Sequence, residues 1–143
     1  MFIMHLIVDG YEADYQKLID LDFIYNILDV TPEKISMTKI MPPYVFKYHG
    51  KNPEDWGLSG FVLIAESHIS IHTFPEKRYL NIDIFSCKVF DSEAAIKLMK
   101  DNFSINKTQI KLLERGIEYP HNIEKASNIV SLERCQLQAT KTS

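Results

Sequence analysis

Between Leu58 and Lys88 the chain reads LSGFVLIAESHISIHTFPEKRYLNIDIFSCK. A continuous apolar run from Gly60 to Ala65 gives way to two segments in which apolar and polar side chains alternate. Period-two spacing is incompatible with a helix and demands strands with two chemically different faces. On the first segment His68, Ser70 and His72 share one face, and Ile69, Ile71 and Thr73 share the other. On the second, Leu80, Ile82 and Ile84 oppose Asn81, Asp83, Phe85 and Cys87. The short link PEKRY suits a hairpin, which sets the two polar rows side by side as one patch. The run before them, Gly60 to Ala65, predicts a strand buried on both faces.

The flanking sequence supplies the remaining elements. Phe2 to Val8 reads as a strand stopped by Asp9-Gly10, with His5 as a half-buried strand residue. From Ala13 to Val30 the apolar spacing lengthens. Leu18, Leu21, Ile24 and Leu28, widened by Phe23 and Ile27, describe an amphipathic helix with Asp14 at its acidic start. Thr31-Pro32 is expected to end it. Lys34 to Met41 alternates and predicts a strand, stopped by Pro42-Pro43. Tyr44 to Trp56 reads as a loop whose aromatics, Tyr44, Phe46, Tyr48 and Trp56, either line a ligand pocket or cap a core edge. Asp91 predicts an N-cap for a helix ending near Phe103. Thr108 to Glu114 predicts a last strand, and Ile117 to Ser143 a peripheral tail with a short helix near Ile129 to Cys135. The order β-α-β-β-β-β-α-β describes an α+β fold: a two-layer sandwich with helices on one face of a mainly antiparallel sheet.

A chain of 143 residues accommodates one domain, residues 1–143, with a real core. A net charge of −3 leaves no basic footprint for nucleic acid. No apolar run approaches the roughly 18 residues of a membrane span, and MFIMHLIVDG lacks the basic start of a signal peptide. Two distant cysteines, Cys87 and Cys135, match no zinc or disulfide spacing. A reduced, cytoplasmic protein is expected.

The polar patch admits several chemistries. Ser67 and His68 are adjacent on a strand, so their side chains diverge and cannot form a nucleophile–base pair; no G-x-S-x-G elbow is present. His68 and His72 share a face but lie about 13 Å apart, too far to share an ion, so no metal is expected. A His68/Asp83 surface pair without function stands beside these readings.

Glu66-Ser67-His68-x-Ser70-x-His72-x-x-Pro75-Glu76, followed by Asp83-Ile84-Phe85-x-Cys87, resembles the signature of the short prokaryotic S-adenosylmethionine decarboxylases, which are self-processing pyruvoyl enzymes. The likeness extends to Gly57-x-Ser59-Gly60 and to His5-Leu6 with Asp9, and covers most of Met1 to Glu114. It implies that Ser67 Oγ attacks the Glu66 carbonyl, that an N→O acyl shift gives an ester, and that β-elimination splits the chain into 1–66 and 67–143. Ser67 thereby becomes an N-terminal pyruvoyl group, the enzyme's cofactor. By position, His72 matches the acid/base of processing and Ser59 its hydrogen-bonding partner. The pyruvoyl ketone would condense with the substrate amine and act as an electron sink. Cys87 matches the acid that returns a proton to the α-carbon, and Glu76 the residue that holds the ribose hydroxyls. The resemblance also implies a homodimer of cleaved protomers, packed sheet to sheet in an αββα arrangement, making decarboxylated S-adenosylmethionine for spermidine biosynthesis.

Two departures bear on the substrate. Phe74 stands where the family often has Trp or Tyr. The adenine-stacking aromatic, six residues before the serine that matches Ser59, is here Pro53, for which Trp56, Phe46 or Tyr48 would have to substitute. Decarboxylation of free arginine or ornithine by the same chemistry therefore remains an alternative, as does a non-processing binding or regulatory domain on the same scaffold.

Overall fold

The computed structural model describes residues 3–116. The proposed tail, its short helix and Cys135 lie outside the described residues. Six strands form one sheet in the order β2-β3-β4-β5-β1-β6: β1 (Ile3–Tyr11), β2 (Tyr44–His49), β3 (Trp56–Ile64), β4 (Ser67–Phe74), β5 (Tyr79–Ser86) and β6 (Lys107–Arg115). Every pairing is antiparallel. The described residues also form three α-helices: a single turn, α1 (Tyr15–Leu18), then α2 (Leu21–Lys34) and α3 (Ser92–Phe103).

The alternating pattern decides which sheet face the helices cover. Leu6 and Val8 from β1, Val62 from β3, Ile69 and Ile71 from β4, and Leu80, Ile82 and Ile84 from β5 all point into one core. There they meet Leu18, Ile24, Leu28, Met99 and Phe103 from the helices. Burying a side chain of this size contributes about 1.5–3 kcal/mol, so the register of the central strands is held by the whole row. Among the described residues, the opposite face carries no helix. It presents Phe61, Leu63, His5, Phe85, His68 and, on the β2 edge, Tyr44, Phe46 and Tyr48.

Several expectations needed correction. The helix predicted over Ala13 to Val30 is interrupted: Asp14 caps α1 by accepting from Gln16 N at 2.9 Å, and Asp20 restarts the chain as α2 by accepting from Phe23 N at 3.0 Å. Leu21, expected in the core, is exposed. Pro32 does not end α2, because it falls in the last turn, where one lost hydrogen bond is tolerated. The helix stops in a Schellman motif instead. Ser36 takes a left-handed φ of 61°, Ser36 N donates to Glu33 O at 3.0 Å and Met37 N to Pro32 O at 2.8 Å. That turn consumes the front of the strand expected over Lys34 to Met41, leaving a single bridge from Lys39 to Ile64. The second strand lies later, at Tyr44–His49, in the segment read as a loop. Its alternate aromatics sit on the open face, so only Val45 signals the core. β1 runs through Asp9-Gly10 to Tyr11; Gly10 is there for space, since a Cβ would press on Leu80 and Ile105. The Gly60 to Ala65 run is buried on one face only, with Leu63 exposed.

Thr73 ties this framework together. Its hydroxyl, buried at the end of β4, accepts from Leu58 N at 2.9 Å and donates to Leu18 O at 2.9 Å. A Cβ on Gly57 would overlap the Thr73 carbonyl oxygen, so β3 and β4 close here without a side chain between them. Replacing Thr73 by Val keeps the shape and strands a buried donor. Thr73→Val is expected to lower unfolding stability by about 1–3 kcal/mol, read as a lower urea midpoint at unchanged slope; an unmoved midpoint would contradict the bridging role.

Candidate active site

The two-residue turn joining β3 to β4 is Ala65-Glu66, since Ile64 pairs directly with Ser67. Glu66 has a φ of 60°, a left-handed conformation that a non-glycine residue holds at a cost. The next residue, Ser67, is buried, and its Oγ accepts from the Cys87 N–H at 3.1 Å. The Cys87 Sγ in turn donates to the Glu66 carbonyl oxygen at 2.9 Å. One residue therefore touches both sides of the Glu66–Ser67 peptide bond. Its placement follows from register: His68 pairs with Phe85, which carries Cys87, just past the end of β5, to the start of β4.

Ser59 and His72 face each other across β3 and β4, with Ser59 Oγ 3.0 Å from His72 Nδ1. They line a cavity of about 700 Å³ together with Trp56, Phe74, Tyr48 and Lys77. Phe74 stacks on Tyr79 with centroids 5.3 Å apart. Glu76, in the 3₁₀ turn after β4, accepts from Trp56 Nε1 at 3.1 Å.

The site residues thus form two groups. Glu66, Ser67 and Cys87 lie at one end of β4; Ser59, His72, Phe74, Glu76 and Trp56 lie at the other. Ser67 and His72 are five residues apart on one strand, roughly 16 Å, and the odd spacing turns their side chains to opposite faces. The structure brings together the members of each group and keeps the groups apart.

Between them, His68 stacks on Phe85 at 5.2 Å, and Arg115 lies over the same ring at 5.0 Å. The His68/Asp83 pair, one of the readings left open, does not form: the histidine next to Asp83 is His5, with Nε2 3.4 Å from Oδ1 and no hydrogen bond. Sequence reasoning also missed Tyr15, which donates to Glu76 Oε1 at 3.3 Å, and Lys47, whose ammonium sits 4.7 Å from the Trp56 ring centroid. Neither falls in a motif, and only the tertiary fold pairs them with the site.

Residues 4–116 match the family model described as S-adenosylmethionine decarboxylase. The chain belongs to that family. A Clostridium botulinum S-adenosylmethionine decarboxylase proenzyme is 36% identical over 113 residues, covering 78% of this chain and 92% of that protein. The Pyrococcus furiosus S-adenosylmethionine decarboxylase proenzyme is 32% identical over 115 residues, covering 80% and 78%. Among solved structures, the adenosylmethionine decarboxylase of Aquifex aeolicus superposes with a TM-score of 0.64 at 28% identity, over 85% of this chain and 97% of that one. The family match therefore covers the sheet, the helices and both groups of site residues.

Burial, reinforced by the neighbouring His5, pulls His68 below the ordinary histidine value against the opposing pull of Asp83. With the folded value depressed, the unfolded chain takes up its proton first on acidification. The contribution is full above about pH 6.5 and is lost as pH falls toward the folded value. The melting temperature is therefore expected to drop between about pH 7.5 and 5.5, and His68→Gln to drop less steeply; parallel slopes would contradict this.

Proposed function

We propose that the chain is a self-processing, pyruvoyl-dependent S-adenosylmethionine decarboxylase that cleaves itself between Glu66 and Ser67. The observation that carries this reading is Cys87, which holds the Ser67 hydroxyl by its backbone and the Glu66 carbonyl by its thiol. Family membership and relatives named as proenzymes support it. The residues present fit the group: only a residue with a β-heteroatom can both attack the preceding carbonyl and leave, and Ser67 supplies one beside a left-handed Glu66.

In processing, the Ser67 Oγ forms a bond to the Glu66 carbonyl carbon while the amide nitrogen leaves that carbon as an amine. The Cys87 thiol stabilises the charge that develops on the Glu66 oxygen, as an oxyanion donor does. A base then removes the Ser67 α-proton and the Glu66 carboxylate departs, separating 1–66 from 67–143 and leaving a dehydroalanine at the new N-terminus. Its imine tautomer takes up water and releases the former Ser67 nitrogen as ammonia, which leaves the pyruvoyl ketone. His72, oriented by Ser59 through Nδ1, is suited to these proton transfers because a neutral imidazole accepts a proton at one nitrogen and donates at the other. Once formed, the pyruvoyl group supplies an electron sink for loss of the substrate carboxyl. Cys87 Sγ then carries the proton delivered to the substrate carbon, and Glu76 binds the nucleoside hydroxyls. Phe74 and Trp56 border the cavity that Ser59 and His72 line, and aromatic walls suit an adenosyl substrate better than free arginine or ornithine.

His72 and Ser59 cannot reach the Ser67 of their own chain across roughly 16 Å of extended strand. We infer that a second copy supplies them. Two open sheet faces packed across a two-fold axis set each Ser67/Cys87 end against the partner's Ser59/His72 end, in an αββα homodimer. The aromatic, helix-free face is the surface such a dimer would bury. We take the domain to act as one unit in the cytoplasm, without nucleic-acid or membrane partners.

Comparing CO₂ release from S-adenosylmethionine, arginine and ornithine tests the substrate. Release from S-adenosylmethionine alone is expected, and release only from an amino acid would overturn that assignment. Co-expression of Ser67→Ala with His72→Ala tests the shared site. Neither variant should cleave alone, whereas mixed dimers should cleave the His72→Ala chain; a mixture that stays intact would sink the in-trans arrangement.

A further inference from the structure

Glu76 stands exposed in a turn, yet one of its oxygens is doubly occupied. Trp56 Nε1 and the Tyr15 hydroxyl both donate to Oε1, at 3.1 and 3.3 Å. Among the described residues, no hydrogen bond is made to Oε2. The two donors come from separate elements, β3 and α1, and the turn itself is tied to the same neighbourhood. Arg78, in a left-handed conformation, donates from Nε to Ala13 O at 2.9 Å and accepts from Ala13 N at 3.1 Å. Partial burial and the Glu76 carboxylate both hold the Tyr15 phenol above the ordinary tyrosine value, so it stays a donor. Lys47 occupies one side of the Trp56 ring, and the indole N–H is committed to Glu76.

We propose that Trp56 and Tyr15 are positioning residues that clamp one oxygen of Glu76 and pre-orient the other toward a vicinal diol of the ligand. The proposal deepens the decarboxylase reading and rests on its assignment of Glu76 to the nucleoside hydroxyls. An exposed glutamate loses rotamer freedom when it binds, and two donors remove that freedom beforehand. Trp56 therefore serves the site through its N–H, a different role from the adenine-stacking platform that the sequence suggested. Phe74, stacked on Tyr79, remains as the aromatic wall of the cavity.

The test is calorimetric binding of adenosine and of 2′,3′-dideoxyadenosine to the full-length protein as purified, which needs no turnover. The wild type should prefer adenosine. Trp56→Phe, which keeps a smaller aromatic ring at this position and removes the N–H, should weaken adenosine about 3–10-fold and leave the dideoxy compound, which controls for the lost ring area, unchanged. Tyr15→Phe should do the same. In a Glu76→Ala background, which removes the clamped oxygen, Trp56→Phe should have no further effect. Equal binding of the two nucleosides by the wild type, binding of neither, or equal weakening of both in Trp56→Phe would overturn the clamp. So would an undiminished Trp56→Phe effect in the Glu76→Ala background. Absence of CO₂ release from S-adenosylmethionine would count against the decarboxylase reading alone, because the diol preference is measured independently.

Discussion

The antiparallel register of β3, β4 and β5 is the constraint from which the rest follows. It sets His72 against Ser59 on one side and Asn81 on the other, and His68 against Phe85 near the opposite end. A slip of one residue would turn Ile69, Ile71, Ile82 and Ile84 out of the core and every polar residue into it. The apolar row therefore pins the polar row. Site geometry here is a by-product of hydrophobic burial, in which the stability of one face fixes the chemistry of the other.

That register also explains why the site is divided. A flat strand spreads its residues at about 3.3 Å each, so a motif compact in sequence, from Glu66 to Glu76, becomes long in space. Cys87 is brought back to Ser67 by the hairpin, whereas His72 is carried away from it by the strand. A single protomer thus owns both groups of residues and unites neither pair of ends. The sheet face that no described helix covers is aromatic-rich, and burying it against the proposed second copy would remove apolar area from water. The Glu66 turn adds a local device: a left-handed residue immediately before the proposed cleavage bond raises the energy of the intact chain, which the proposed cleavage would relieve.

Much of this was legible in the sequence, because the informative segments are the most regular. Alternation through β4 and β5 fixes which residues share a face, and the Asp91 cap and the β6 pattern are unambiguous. Other elements depend on balances that spacing does not reveal. Pro32 reads as a terminator but lies where only one hydrogen bond is forfeited, while the real stop at Ser36 is a left-handed serine with no sequence mark. Tyr44, Phe46 and Tyr48 look like a loop cluster because their strand has almost no core face. At the proposed site, Glu66, Ser67, Cys87, Ser59 and His72 were singled out by a long motif of improbable residue types. Tyr15 and Lys47 belong to no motif and become visible only once β3, α1 and the turn after β4 are packed.

If the chain itself breaks the bond between Glu66 and Ser67, the intact mass of the purified protein reveals it. Two fragments that join at that bond are expected, the second with a carbonyl-blocked N-terminus, and Ser67→Ala should remain a single chain of 16.6 kDa. A wild-type protein found whole at 16.6 kDa, or a Ser67→Ala protein still cut at the same place, would contradict it.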